Sequence, residues 1–320
     1  MCTAISFNAD NHYFGRNLDL EYCYNETVTI TPRNYAFKFR RTDTITSHYA
    51  IIGVATVADN YPLYYDATNE KGLSIAGLNF PENAFYNEID DTKINIAPFE
   101  LIPYILSQCE TVEQTKKLLQ KINLAKIHFS KVFRLSPLHW IISDKVQSIT
   151  LENVKDGMKV YDNPVGVLTN NPTFDIQMFN LNNYMSLSKQ TPKNTFSDKI
   201  DLKVYSRGMG ALGLPGDLSS QSRFVKAVFT KLNSVKENIL SQVFHILSSV
   251  EQQKGCVLVD NNKYEYTMYT SCCNTDKGIY YYTTYENRQI TAVDMHREKL
   301  DSNELVTYPL IKEEQINRLN

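Results

Sequence analysis

Met1-Cys2-Thr3-Ala4-Ile5-Ser6-Phe7 opens the chain, and Phe14-Gly15-Arg16-Asn17-Leu18-Asp19 follows a few residues later. The first stretch is rich in β-branched and aromatic residues and predicts a strand over residues 2–7. The second lies at a distance that a hairpin can close, which brings Arg16 and Asp19 back towards Cys2. A cysteine directly behind the initiator methionine becomes the first residue once the methionine is excised, and excision favours a small second residue. Such a residue carries a thiol and a free α-amine together. The ordinary α-amino pKa of about 7.7 to 8.0 lies just below the thiol's roughly 8.5, so the amine can relay the thiol's proton without a separate histidine. That is chemistry for acyl transfer. A cation at Arg16 favours the thiolate, and Asp19 can hold the ammonium. The bland alternative for a cysteine at this position, taken alone, is that it does nothing.

Outward from this hairpin, strands are predicted at residues 27–30, 50–57, 73–78, 138–142, 147–151 and 158–161, with turn formers such as Lys155-Asp156-Gly157 between them. Three more, at 264–270, 278–285 and 289–293, suit an antiparallel meander. Helices are predicted at 98–109, behind an N1 proline, and after the capping-box pattern Thr111-Val112-Glu113-Gln114, with Leu118, Leu119 and Ile122 as its apolar side. A later helical group covers 174–188, 220–232 behind Ser219, and 239–250, where Ile239, Val243, Ile246, Leu247 and Val250 form one stripe. Alternating groups of strands and helices suit an α+β sandwich whose helices cover the outer faces of stacked sheets. No linker divides the 320 residues, so a single domain over 1–320 is expected.

Composition excludes several functions. A formal net charge of −2 leaves no basic footprint for nucleic acid. No apolar run approaches the roughly 20 residues of a membrane span, and residues 1–11 lack the basic and apolar regions of a secretory signal. A cytoplasmic protein with no membrane partner is expected. The cysteines Cys2, Cys23, Cys109, Cys256, Cys272 and Cys273 show no metal-ligand rhythm with histidine, so neither a metal nor another cofactor is expected. Cys272 and Cys273 fall in one strand and point to opposite faces, one packed and one idle. Gly208-Met209-Gly210-Ala211-Leu212-Gly213 matches a dinucleotide fingerprint, but Pro215 and Gly216 stand where the phosphate-binding helix would run, so a tightly turned loop is expected. His139, next to Trp140 in a strand, reads as a satisfied structural histidine.

The chain nonetheless resembles a known family. Met1-Cys2-Thr3, Phe14-Gly15-Arg16-Asn17-Leu18-Asp19, Asn69-Glu70-Lys71-Gly72-Leu73, Gly77-Leu78-Asn79-Phe80-Pro81, Leu138-His139-Trp140, Gly166-Val167-Leu168-Thr169-Asn170-Asn171-Pro172, Gly213-Leu214-Pro215-Gly216-Asp217 and Ser222-Arg223-Phe224 together resemble the choloylglycine hydrolase family of N-terminal nucleophile hydrolases. The resemblance implies a four-layer αββα sandwich of two antiparallel sheets between helical layers. It also implies hydrolysis of the amide joining a bile acid to glycine or taurine, and commonly a homotetramer. It makes Cys2 the nucleophile, with Arg16 tuning the thiol and Asp19 holding the α-amine. Asn170 and the backbone N–H of Asn79 become the oxyanion donors, and Arg223 the remaining arginine of the site.

An amphipathic steroid needs an apolar trough with few polar anchors. The positions corresponding to the family's substrate loops carry Leu18, Tyr24, Ala58, Tyr65, Phe129, Phe133 and Leu138. Within the family the rival is penicillin V acylase, which the resemblance sets aside on Asn79, since those acylases usually carry tyrosine there. A related acylase acting on acyl-homoserine lactones is a further rival. A non-catalytic binder of amphipathic ligands has no reason to keep a free N-terminal thiol.

Overall fold

A computed structural model describes residues 1–320, apart from the side chain of Asn261. The first half of the chain forms β1 (Cys2–Asn8), β2 (His12–Leu20), β3 (Thr27–Thr31), β4 (Ile51–Ala58), β5 (Tyr61–Asn69), β6 (Ser74–Asn79) and β7 (Ile94–Ile96). Helices α1 (Leu101–Leu106) and α2 (Val112–Leu119) lead to β8 (Ile122–Leu124), β9 (Leu138–Ser143), β10 (Ser148–Val154), β11 (Gly157–Asp162) and β12 (Val167–Leu168). Then come α3 (Phe174–Asn180), α4 (Ser220–Asn233) and α5 (Ile239–Ser248). The chain ends with β13 (Val257–Val259), β14 (Lys263–Asn274), β15 (Ile279–Thr284), β16 (Thr291–Asp294) and β17 (Val306–Pro309). Among the described residues no helix is long and apolar enough to cross a membrane.

Two antiparallel sheets result. One runs β12-β1-β2-β14-β15-β16 with β13 paired to β14, and the other runs β11-β10-β9-β6-β5-β4-β3-β17. The larger core joins Ala4, Leu18, Val54, Leu78 and Ile141, from the facing sides of both sheets, and Ile5, from the outer face of β1, to Phe224, Val243 and Leu247 of α4 and α5. On the far side of the second sheet a separate core packs Ile75, Trp140 and Ile142 against Leu101, Ile105, Val112 and Leu119 of α1 and α2. Helices, sheet, sheet, helices: the architecture is the αββα sandwich.

The predicted strands and the two well-capped helices are present. Thr111 caps α2 by accepting from the Gln114 amide, and Ser219 caps α4 by accepting from that of Ser222. Lys155 and Asp156 form the two-residue turn between β10 and β11, and Gly157 after it takes the positive φ that glycine tolerates. The fingerprint-like loop has no strand before it or helix after it. Gly208 and Gly213 adopt positive φ on either side of a single 3₁₀ turn.

Four expectations need correction. The segment expected as a helix over 174–188 is α-helical only over Phe174–Asn180, followed by a 3₁₀ turn at Leu181–Tyr184 and no helix at 185–188. The segment from Pro98 holds a 3₁₀ turn and only six residues of α-helix. Ile122 belongs to β8 rather than to the apolar side of α2, because Ile94 of β7 takes it as a parallel partner. Neither Cys272 nor Cys273 is idle: both are buried, since the first sheet is covered on one face by the second sheet and on the other by α5.

Candidate active site

Cys2 begins β1, paired with Leu18 of β2, while Ala4 and Ile5 pair with β12 on the other side. The nucleophile candidate is thus buried and fixed from both edges of its strand. Gly15 permits the close approach of β2 to β14, because a Cβ there would lie 2.4 Å from the Ser271 carbonyl oxygen. Beyond β12 the chain turns so that the Asn170 amide donates to Ser220 Oγ at 2.8 Å, tying it to the first turn of α4. That turn is anchored in its own right. Asp217 accepts from the Ser219 amide at 3.0 Å and the Ser222 hydroxyl at 2.5 Å, bonds that lower its carboxyl to about 2.

Four of the predicted residues meet around Asn170. Its Oδ1 accepts from the Cys2 amide at 2.8 Å and from Arg223 Nη2 at 2.8 Å, while its Nδ2 donates to the Asn79 carbonyl at 2.6 Å. Arg223 Nη1 donates to the Cys2 carbonyl and to Thr3 Oγ1, each at 2.7 Å, and lies 3.9 Å from Asp19 Oδ2. One Asn170 N–H therefore remains available to a ligand beside Cys2. His139 acts from behind. Buried and stacked on Phe80 at 4.2 Å, its ring bonds Glu152 and the carbonyl of Thr169, the residue before Asn170.

Arg16 is fully buried, and its Nη1 donates to the carbonyls of Tyr65 and Gly77 at 2.8 Å each. Its Nη2 has no partner among the described residues. Burial works against the guanidinium charge, but Cys2, Tyr269, Asp66 and Tyr280 outweigh it and hold the pKa above its ordinary value. Asp66 is the buried counter-charge. It accepts from the hydroxyls of Tyr269 and Tyr280 at 2.8 and 2.6 Å, and burial pushes its carboxyl up.

Asp19 is also fully buried, which raises its pKa against the pull of Arg223. Thr267 donates to its Oδ1 at 2.6 Å, whereas Oδ2 has no hydrogen-bond partner among the described residues. The Met1 ammonium donates to the Asp19 carbonyl at 3.0 Å and lies 2.5 Å from Glu265.

A cavity of about 360 Å³ opens over this cluster, with Cys2, Arg16 and Asn79 at its polar end. Leu18, Tyr24, Tyr65, Phe129, Phe133 and Leu138 line it, joined by Leu20, Phe99, Ile102 and Trp140. Its aromatic wall is continuous: Phe133 lies 6.3 Å from Tyr24 and 6.1 Å from Phe129, which meets Phe99 edge-on at 5.2 Å. Ala58 is the exception to the predicted wall. It ends β4, opposite Tyr61, and packs against the second core instead. Sequence reasoning missed Asp66, Glu265 and Thr267. The available signal was a carboxylate inside a run of β-forming residues, as in Tyr64-Tyr65-Asp66-Ala67 and Tyr264-Glu265-Tyr266.

The family of linear amide C–N hydrolases called the choloylglycine hydrolase family matches residues 2–308. The chain is similar over its whole length to the bile salt hydrolase/transferase of Lactiplantibacillus plantarum, with 59% identity over 324 residues and 100% of each chain covered. A mutant of the conjugated bile acid hydrolase from Clostridium perfringens superposes with a TM-score of 0.94 at 39% identity, again covering 100% of both chains. The penicillin V acylase of Agrobacterium tumefaciens shares the fold, with a TM-score of 0.74 at 19% identity over 96% of this chain and 90% of its own.

Proposed function

Because the chain belongs to the choloylglycine hydrolase family, we propose that it hydrolyses the amide bond of glycine- or taurine-conjugated bile salts, with Cys2 as nucleophile once Met1 is gone. The observation that carries this reading is the buried thiol at the polar end of an aromatic cavity, beside Arg16 and the Asn170 and Arg223 cluster.

In this reaction the Cys2 thiol passes its proton to the freed α-amine, and the sulfur attacks the amide carbon. The oxyanion takes hydrogen bonds from the free Asn170 N–H and from the Asn79 amide, groups fixed before the substrate arrives. Collapse transfers the proton to the departing nitrogen, which leaves as glycine or taurine and deposits the steroid acid as a thioester. Water, deprotonated by the same amine, then releases the bile acid. Arg16 holds the thiolate, since its unpaired Nη2 sits in a site with no water-like dielectric to weaken it.

The 320 residues act as one domain, supported by a larger core that both sheets share. The enzyme is cytoplasmic and a homotetramer. The arm between α3 and α4 supports assembly, since Met185, Phe196 and Tyr205 are 86%, 83% and 80% exposed, an apolar surface that a second copy would cover.

Intact mass of the purified enzyme, before and after a thiol alkylator, tests the nucleophile. Loss of Met1, a single alkylation at Cys2 that abolishes turnover, and release of glycine or taurine from conjugated bile salts are expected. An active enzyme that retains Met1 in full overturns the reading.

A further inference from the structure

Glu265 is a buried carboxylate, the one acidic residue of β14, a strand rich in tyrosine, threonine and cysteine. Its position follows from an irregularity. β14 pairs with β2 in regular register from Asn274 back to Tyr269, opposite Leu18, and then skips a residue so that Thr267, not Met268, faces Asp19. The bulge inverts the alternation. Tyr269 and Ser271 point between the sheets at Asp66, whereas Thr267, two residues before Tyr269, points with Asp19 towards the helices and bonds it. Glu265, two residues further back, shares the face of Thr267.

The Met1 ammonium occupies the place this bulge creates, 2.5 Å from Glu265 and 3.0 Å from the Asp19 carbonyl. Excision of Met1 moves the terminal ammonium one residue inward, about 3 to 4 Å along the backbone. That ammonium has three N–H donors. Asn170 Oδ1 already accepts from the Cys2 nitrogen, and Asp19 Oδ2, 3.9 Å from Arg223 Nη1, is buried with no hydrogen-bond partner among the described residues. Glu265, bereft of Met1, supplies a third acceptor. The charges agree: with the ammonium present, Asp19 and Glu265 balance Arg223 and the terminus, and without it one buried negative charge is left over.

We propose that Glu265 is a positioning residue of the mature enzyme, its carboxylate holding the α-ammonium of Cys2 together with Asp19 and Asn170. The assignment rests on the proposed role of Cys2. The charged and titratable groups facing Glu265 are the terminal amine and the Cys2 thiol from β1, Asp19 from β2 and Arg223 from α4, with Glu21 and Tyr24 at the cavity wall. Loss of the carboxylate makes the surroundings of both amine and thiol less negative. A neutral amine and a thiolate each then form at lower pH, so the acidic limb moves in the same direction whichever species it reports.

The test compares wild type with Glu265→Gln and Glu265→Asp, each released from a fusion by cleavage immediately before Cys2. The rate of Cys2 alkylation by iodoacetamide, read by intact mass across pH, needs no substrate. The acidic limb of alkylation, and that of kcat/KM on a conjugated bile salt, are expected about half a pH unit or more lower in the glutamine variant. The aspartate variant is expected to keep the wild-type limb. Superimposable limbs in wild type and Glu265→Gln overturn the assignment. If the alkylation limb moves but no variant, wild type included, cleaves conjugated bile salts, the proposed substrate fails and the role of Glu265 stands.

Discussion

Asn170→Asp separates two duties that alanine would confound. Truncation to alanine removes three hydrogen bonds and leaves both the Cys2 nitrogen and Arg223 Nη2 without this acceptor. Each orphaned group costs about 1–3 kcal/mol, more for the charged one, so lost activity would be inseparable from lost structure. Aspartate keeps an oxygen where Oδ1 accepts from Cys2 and Arg223, and its charge strengthens the second contact. It lacks the N–H that the oxyanion needs. Loss of one such donor costs about 2.7–4 kcal/mol, or roughly 10²–10³ in kcat. On the pH plateau, above the acidic limb that the added carboxylate moves up, steady-state kinetics on a glycine conjugate should show that fall with little change in KM, while urea unfolding loses about 1–3 kcal/mol, because a carboxylate oxygen then faces the Asn79 carbonyl with no hydrogen between them. A variant that unfolds like wild type and keeps kcat within tenfold would refute the donor role of Asn170.

Cys2→Ser is expected to fold and to lose nearly all activity, because an ordinary hydroxyl is too weak a nucleophile in a site arranged for a thiolate; retention of a large fraction of the rate in a kcat assay would contradict this. Serine at the exposed Cys256 should be silent, whereas at the fully buried Cys272 it should cost about 1–3 kcal/mol in urea unfolding while sparing activity per folded molecule. The aromatic cavity predicts kcat/KM for conjugated bile salts at least about tenfold above that for penicillin V, since a steroid buries far more apolar area at roughly 25 cal/mol per Å²; side-by-side kinetics with equal or reversed preference would place the enzyme with the penicillin acylases. Burial lowers His12 from 6.5 to about 4, so the folded state favours its neutral ring, and the associated stability is lost as pH falls from 6.5 to about 4. Unfolding free energy should drop by up to roughly 3 kcal/mol across that window, and His12→Gln should flatten the slope; an unchanged slope would refute the assignment.

The hairpin carrying Cys2, Arg16 and Asp19 was legible because β-branched and aromatic residues mark its first strand and its residues lie close in sequence. So were the caps of α2 and α4, which depend on local hydrogen bonds alone. β5 was not, since Pro62 and Asp66 interrupt its pattern, and both find their places only among neighbouring strands. β7 and β8 are three residues each and exist through pairing with one another, which no local signal reports. At the site, the motif residues were readable as a set, whereas Glu265 required the bulge at Met268 to turn it towards Asp19. Ala58 failed for the opposite reason, as a position inferred from variable loops, where a single residue of register decides which way a side chain points.

The contacts of Met1 bear on when the enzyme can become active. In the folded chain the terminal ammonium is clamped between Glu265 and Asp19, and the Met1 carbonyl accepts from the Asp19 amide. An aminopeptidase must draw out an extended terminus, and Glu265 sits more than 260 residues downstream of the bond to be cut. Early in synthesis the terminus is free and Glu265 is not yet made; once β14 docks beside β2, the contacts with Glu265 and Asp19 are in place. Removal of Met1 before β14 docks therefore disturbs none of these contacts, whereas removal from the folded chain must first break all three.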